Sequence, residues 1–133
     1  MFSNFFGRSD SQGESSIKWN ELNDLEQIGT ILEESKSQPV LIFKHSYSCG
    51  TSAMMLDRLQ RKWNQEEVSE LKPYFLDLLS NRNVSNQLAE TFGVWHQSPQ
   101  ILIIHGGKCI YDISHMGISF EAIKAQLAGL ETT

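Results

Sequence analysis

The segment from Pro39 to Trp63 places a short, wholly apolar run directly before a stretch with helical spacing. The run from Val40 to Phe43 is too short for a helix and includes β-branched and aromatic residues, so we predict a buried strand. Apolar residues then recur on one helical face, at Met55, Leu56, Leu59 and Trp63. Cys49 therefore lies where a buried strand passes into the first turn of a helix.

Cys49 in this position is a candidate nucleophile. The first N–H groups of a helix lack partners within the helix, and the helix dipole presents partial positive charge there. Both features favour a thiolate, and cysteines so placed can have a pKa lowered from about 8.5 into roughly the 3.5–7.5 range. The alternative is a small buried residue that only packs. The helix start and the polar neighbours favour function.

Composition indicates a small globular protein and argues against several classes of function. The chain has 133 residues, a hydrophobic fraction of 40% and a formal net charge of −5. The acidic charge and the absence of a basic block argue against nucleic acid and anionic membranes. No apolar run reaches the length of a membrane span. The start at Met1 lacks the pattern of a signal peptide. Two cysteines form no disulfide scaffold, so we expect a cytoplasmic protein, and we expect a monomer.

Two regions are predicted, a flexible N-terminal tail over residues 1–16 and one domain over residues 17–133. The tail is polar and rich in Gly and Ser from Gly7 onwards. Its three phenylalanines either dock on the domain or a partner, or belong to a frayed terminus: Phe2, Phe5 and Phe6.

The domain is predicted to alternate helices and strands. A first helix is expected from Glu21 to Ser35, with Asn20 as its N-cap and a buried stripe at Leu22, Leu25, Ile28 and Leu32. The later elements are a strand over 72–79, a helix from Asn83 or Ser85 to Gly93, a strand over 101–104, a Gly106-Gly107 hairpin, a strand over 108–113 and a helix after Ser119. Strands separated by helices are joined by parallel crossovers. We therefore predict an α/β fold with helices on both faces of a mixed sheet of four strands, or five with a short strand before Glu21.

These elements resemble a thioredoxin-like fold, in the strand–Cys49–helix unit, the Ser98-Pro99 entry to an apolar strand and the Gly106-Gly107 hairpin. More narrowly, the chain resembles the YtxJ-type monothiol bacilliredoxins. That resemblance covers roughly residues 17–130 and rests on the segments 39–46, 48–52, 92–94, 96 and 98–100. It implies an enzyme that reduces mixed disulfides between protein cysteines and the low-molecular-weight thiol bacillithiol. It also assigns the nucleophile to Cys49 and implies a cis bond before Pro99.

The position three residues after Cys49 determines how the reaction would end. Thiol–disulfide exchange leaves a mixed disulfide on the attacking sulfur. A dithiol enzyme resolves it with a second cysteine, but here that position is Ser52. An external thiol must then act as co-substrate, with no other cofactor, and the partners are proteins that carry mixed disulfides. The Ser52 hydroxyl and the N–H groups of Thr51 and Ser52 are predicted to donate hydrogen bonds to the thiolate.

The predicted substrate-binding residues flank the nucleophile: Lys44, Tyr47, Gly50, Thr51, Ser52, Ser98 and Pro99. Lys44 either lends positive charge to the thiolate or an acidic substrate, or is a solvated lysine at a strand end. Tyr47 is expected to form a rim around the sulfur. The Ser98 backbone would pair with an extended substrate segment.

The other reactive side chains are predicted to be structural. Cys109 should lie roughly 15–20 Å from Pro99, beyond disulfide reach, as a strand thiol. His45 is expected to be a hydrogen-bonded scaffold residue. Thioredoxins usually carry a buried aspartate six residues before the nucleophile, and Phe43 stands there. The remaining histidines lack ligand spacing, so no metal site is predicted.

Two other functions remain open from the sequence. Cys49-Gly50-Thr51-Ser52 also resembles the Cys-Gly-Phe-Ser motif of monothiol glutaredoxins, which implies an iron–sulfur carrier. Thr51 departs from that motif. The other possibility is a thioredoxin-like interaction module in which Cys49 is unreactive.

Overall fold

A computed structural model of the protein describes residues 16–131. Five strands and four helices follow one another in chain order: β1 (Asn20–Glu21), α1 (Glu26–Glu34), β2 (Val40–His45), α2 (Gly50–Lys62), β3 (Lys72–Asp77), α3 (Arg82–Phe92), β4 (Gln100–His105), β5 (Lys108–Ser114) and α4 (Phe120–Glu131). Short 3-10 turns cover Gln65–Val68 and His115–Gly117.

The strands form one mixed sheet in the order β1-β3-β2-β4-β5. β1, β3 and β2 run parallel, whereas β4 pairs antiparallel with both β2 and β5. The prediction of an α/β thioredoxin-like fold with a mixed sheet is therefore confirmed, in its five-stranded form.

The side chains of β2 alternate between two cores, as the pleat of a strand requires. Leu41 and Phe43 belong to a core that also contains α2 and α4 residues such as Met55 and Ile123. Val40 and Ile42 belong to a second core on the other face, covered by α1 and α3. Burial on both faces explains why β2 reads as an unbroken apolar run.

The predicted start of the first helix is wrong. Asn20 and Glu21 form β1 and pair in parallel with β3, and the Leu22 N–H continues the pairing to the Phe75 carbonyl at 2.9 Å. The Gln27 side chain then accepts hydrogen bonds from two backbone N–H groups just before α1. The helix consequently begins at Glu26, five residues after the predicted start, and Leu25 is 45% exposed instead of buried.

The glycine-based turns occur where the sequence predicts them. Gly93 ends α3 with a positive φ of 66°, the left-handed conformation that glycine adopts readily at this position. Gly106 and Gly107 both have positive φ and join β4 to β5. In β5 a β-bulge shifts the register between Ile103 and Ile104.

The predicted tail lies almost wholly outside the described residues, including Phe2, Phe5 and Phe6. Its last residue, Ser16, donates a hydrogen bond from its hydroxyl to the Gln60 carbonyl on α2. Within residues 16–131, none of the helices combines the length and apolar character needed to cross a membrane.

Candidate active site

Cys49 lies between the end of β2, the central strand of the sheet, and the start of α2. It is the N-cap residue of α2, with an extended backbone, and it is a free, half-buried cysteine. Its N–H donates to the Ser46 carbonyl at 3.1 Å, which closes a tight turn over residues 46–49. The hydroxyls of Ser46 and Ser48, 3.1 Å apart, brace that turn. The nucleophile predicted from the sequence therefore reaches the surface at a helix start.

The first turn of α2 leaves backbone donors near this cysteine. The N–H groups of Ser52 and Ala53 both donate to the Cys49 carbonyl, at 3.1 and 3.2 Å. The N–H groups of Gly50 and Thr51 make no hydrogen bond within residues 16–131. Thr51 thus keeps the free donor that the sequence analysis expected, whereas the Ser52 N–H is already engaged.

Ser52 is fully buried and belongs to a network directed into the protein. Its Oγ lies 2.7 Å from His45 Nδ1 and accepts a hydrogen bond from the Ser46 N–H at 3.1 Å. Within the described chain its hydroxyl makes no hydrogen bond to the Cys49 sulfur, contrary to the prediction. A buried side chain also cannot contact a substrate at the surface, so Ser52 holds the turn instead.

His45 is the hydrogen-bonded scaffold residue that the sequence predicts. Its side chain is buried and contacts the Tyr47 ring edge-on, with ring centroids 4.4 Å apart. Burial lowers the pKa of His45, and the nearby Asp77 carboxylate opposes that shift. Asp77 itself accepts hydrogen bonds from the Leu79 N–H and the Ser80 hydroxyl, as a turn-capping residue does.

Lys44 is only 1% exposed, so the interpretation as a solvated lysine is wrong. The structure does not present it to a substrate either, which corrects its assignment as a substrate-binding residue. Its Nζ donates to Gln100 Oε1 at 3.1 Å. Burial lowers the pKa of Lys44 to about 8.

The Ser98–Pro99 bond is cis, as the resemblance implied. Pro99 is buried and precedes Gln100, which pairs with Lys44 near the Cys49 end of β2. Within the described residues, the Ser98 N–H and C=O make no hydrogen bond, and its buried Oγ has no partner. The backbone groups expected to pair with a substrate therefore have no hydrogen-bond partner in this part of the chain.

Large apolar side chains are exposed on the segments that meet at this end of the sheet. They include Tyr47, Met54, Trp95 and Met116, with Trp95 89% exposed and Tyr47 67% exposed. Gly50 is also exposed and Thr51 is half-buried. Tyr47 is one of the predicted substrate-binding residues, whereas the sequence analysis assigned no role to Met54, Trp95 or Met116.

Two further residues that hold the site were missed. Arg58 on α2 donates from Nη2 to the carbonyls of Met116 and Ile118, and the His115 N–H donates to the Pro99 carbonyl at 2.9 Å. These bonds fasten the turn after β5 to both α2 and Pro99. The other missed residue is Gln100. Its sequence signal is a polar residue directly before an apolar run, at the start of β4, as Lys44 directly follows the apolar run of β2.

The remaining predictions concern distant or structural groups. Cys109 pairs across the sheet with Ile104, which lies opposite Val40, so it occupies the far end from Cys49. Burial raises the pKa of the Cys109 thiol, which donates to the Tyr111 carbonyl at 3.3 Å. Phe43 stacks on Phe75 within the core. Among residues 16–131 no group of three or more His, Cys, Asp or Glu side chains is placed to hold a metal ion.

Similar solved structures share this fold. One is described as a candidate oxidoreductase with a thioredoxin fold, at 26% identity, with a TM-score of 0.68 and coverage of 81% of this chain and 91% of that one. A thioredoxin from Trypanosoma brucei brucei has a TM-score of 0.68 at 14% identity, covering 87% and 93%. A thioredoxin from Malassezia sympodialis has a TM-score of 0.67 at 10% identity, with the same coverage of both chains.

A thioredoxin fold with an accessible cysteine at the start of α2 defines a thiol oxidoreductase of the thioredoxin class. The family model for the monothiol bacilliredoxin BrxC matches residues 20–123. The chain therefore belongs to the monothiol bacilliredoxin family.

Proposed function

We propose that the protein removes bacillithiol from protein cysteines, with Cys49 as the nucleophile. The observation that carries the proposal is the pairing of an accessible Cys49 with a buried serine, Ser52, where a dithiol enzyme has its second cysteine. Membership of the monothiol bacilliredoxin family supports bacillithiol as the thiol.

The reaction has two exchange steps. The Cys49 thiolate attacks the bacillithiol sulfur of the mixed disulfide; a new S–S bond forms to Cys49 as the old one breaks, and the protein cysteine leaves as a thiolate that takes up a proton. A second bacillithiol then attacks the bacillithiol sulfur on Cys49. The oxidised bacillithiol dimer leaves and the Cys49 thiolate is restored, so one free bacillithiol thiol is oxidised for each protein thiol released and the number of disulfide bonds is unchanged.

The surroundings of Cys49 support a protein substrate. Trp95 and Met116 are exposed on the two segments that meet at Pro99 and offer apolar surface for side chains that flank a modified cysteine, which a small polar thiol alone would not use. The free backbone groups of Ser98 can pair with an extended segment of the substrate. The free N–H of Thr51 can donate to the sulfur as its charge develops.

The test is to offer the protein one model substrate capped with bacillithiol and the same substrate capped with glutathione. Mass spectrometry should detect a bacillithiol adduct on Cys49 and release of the reduced substrate. Cys49→Ser should abolish both. Cys109→Ser is the matched control and should retain both, because Cys109 lies at the other end of the sheet.

Three results would contradict the proposal. A glutathione adduct formed in preference to the bacillithiol adduct would show that glutathione, and not bacillithiol, is the thiol that the protein removes. A coloured, iron-containing protein after anaerobic purification would favour the cluster carrier. No adduct with either substrate would favour the interaction module.

A further inference from the structure

Lys44 has a large, buried, polar side chain, and the proposed reaction assigns it no role. Strand alternation places it on the same face as Val40 and Ile42, toward the core formed with α1 and α3. No carboxylate in the described part of the chain forms an ion pair with it, and its only hydrogen bond there is to Gln100 Oε1. Burial of a charge without a counter-charge is unfavourable, so this arrangement lowers stability.

Gln100 connects Lys44 to the segment that leads to Pro99. Its Oε1 accepts hydrogen bonds from Lys44 Nζ at 3.1 Å and from the Gln97 N–H at 3.4 Å. Its Nε2 donates to the Trp95 carbonyl at 3.0 Å. One buried amide therefore holds two points of the segment from Trp95 to Pro99.

The ammonium, the Gln97 N–H and the Trp95 carbonyl together determine which way this amide points. A glutamine amide has an acceptor end and a donor end of nearly the same shape, so it can turn over. Lys44 offers only donors, so the oxygen must face it. The NH₂ group is then directed to the Trp95 carbonyl. Without the ammonium only the two bonds to the segment itself hold the amide, so the segment is no longer fastened through Gln100 to the buried part of β2.

We propose that Lys44 and Gln100 are a positioning pair that holds the segment Trp95–Pro99 in the shape that receives the substrate. Lys44 then acts through Gln100 and does not touch the substrate. The inference rests on the proposed function, because it assigns a purpose to the Ser98 backbone and to Trp95 in substrate binding. It differs from a charge effect on Cys49, which would change the reactivity of the sulfur itself.

The experiment uses the full chain with Cys109→Ser, so that Cys49 is the only thiol. Lys44→Met removes the ammonium. Gln100→Glu keeps oxygens for Lys44 and the Gln97 N–H but removes the donor to Trp95. Lys108→Met removes an exposed lysine at the far end of the sheet and controls for net charge.

Two measurements separate positioning from charge. Hydrogen–deuterium exchange of peptides covering residues 94–98 should accelerate about tenfold in Lys44→Met and Gln100→Glu, because the segment loses a buried anchor. KM for the capped protein substrate should rise about five- to tenfold, while kcat and the rate of Cys49 alkylation by iodoacetamide change less than about twofold. Lys108→Met should match the parent in all of these.

The outcomes distinguish this inference from the proposed function. Unchanged exchange and unchanged KM in both variants would overturn the positioning pair while leaving the reaction intact. A fall in alkylation rate with KM unchanged would also overturn it, in favour of a charge effect. A parent that reduces no capped substrate would refute the proposed function, and exchange alone would then decide whether the pair holds the segment. Should Lys44→Met fail to fold, Gln100→Glu carries the same test.

Discussion

Lys44→Met should make the stability of this protein depend less on pH above neutrality. Burial lowers the pKa of Lys44 from 10.5 to about 8. A base whose pKa is lower in the folded state destabilises the fold fully below the folded pKa, and the effect disappears as pH rises through the unfolded pKa. The wild type should therefore gain stability between pH 8 and 10.5, whereas Lys44→Met has no such group.

The magnitude follows from the two pKa values. Each pKa unit corresponds to about 1.36 kcal/mol, so charged Lys44 lowers the free energy of unfolding by about 3 kcal/mol at neutral pH. The side chain is 1% exposed, so solvent screens little of this. Lys44→Met also loses the hydrogen bond to Gln100, which costs about 1–3 kcal/mol at every pH. These effects partly cancel at pH 7, so the change with pH is the decisive quantity.

The assay is urea unfolding at 25 °C, followed by tryptophan fluorescence, with a reductant present at pH 7, 8, 9 and 10. Linear extrapolation gives the free energy of unfolding at each pH. The difference between wild type and Lys44→Met cancels the other titrating groups. From pH 7 to pH 10, the free energy of unfolding of the wild type should rise by about 2–3 kcal/mol relative to that of Lys44→Met.

Lys72→Met is the matched control. Lys72 lies in the same sheet, but hydrogen bonding to Glu34 raises its pKa above 10.5. The stability that charged Lys72 contributes is therefore lost only above the measured pH range. The difference in free energy of unfolding between wild type and Lys72→Met should stay constant up to pH 10. A Lys44→Met difference that is equally flat would refute the argument that a charged lysine is buried here.

Three further predictions follow from other contacts. Ser52→Cys should form an intramolecular disulfide on oxidation, because positions three apart at a helix start lie close together, and the bacillithiol adduct should no longer accumulate in mass spectra; an adduct at the wild-type level would contradict this. Glu34→Gln should lower the free energy of unfolding by about 1–2 kcal/mol in urea, because it removes the charge of the part-buried ion pair with Lys72; an unchanged midpoint would contradict it. Gly117→Ala should cost about 1–2 kcal/mol, since its Cβ would lie 2.8 Å from Ile113 Cγ1, and an unchanged melting temperature would count against that clash.

Local patterns in the sequence are sufficient for most of the elements and for the position of Cys49 at the start of a helix. The strand–turn–helix around Cys49 depends on the apolar run of β2 and the helical spacing after it, both of which lie within one short segment. The hairpin at Gly106-Gly107 and the helix end at Gly93 depend on backbone conformations that glycine adopts readily. Such features need no knowledge of distant contacts.

Tertiary structure alone decided the features that depend on residues far apart in the chain. β1 exists because Asn20 and Glu21 meet β3, which local helical spacing cannot reveal. Lys44 and Gln100 are 56 positions apart, and Arg58 and Met116 are 58 apart. Sequence periodicity indicates which face of an element is buried, but not which polar groups meet there, because that depends on strand order and register.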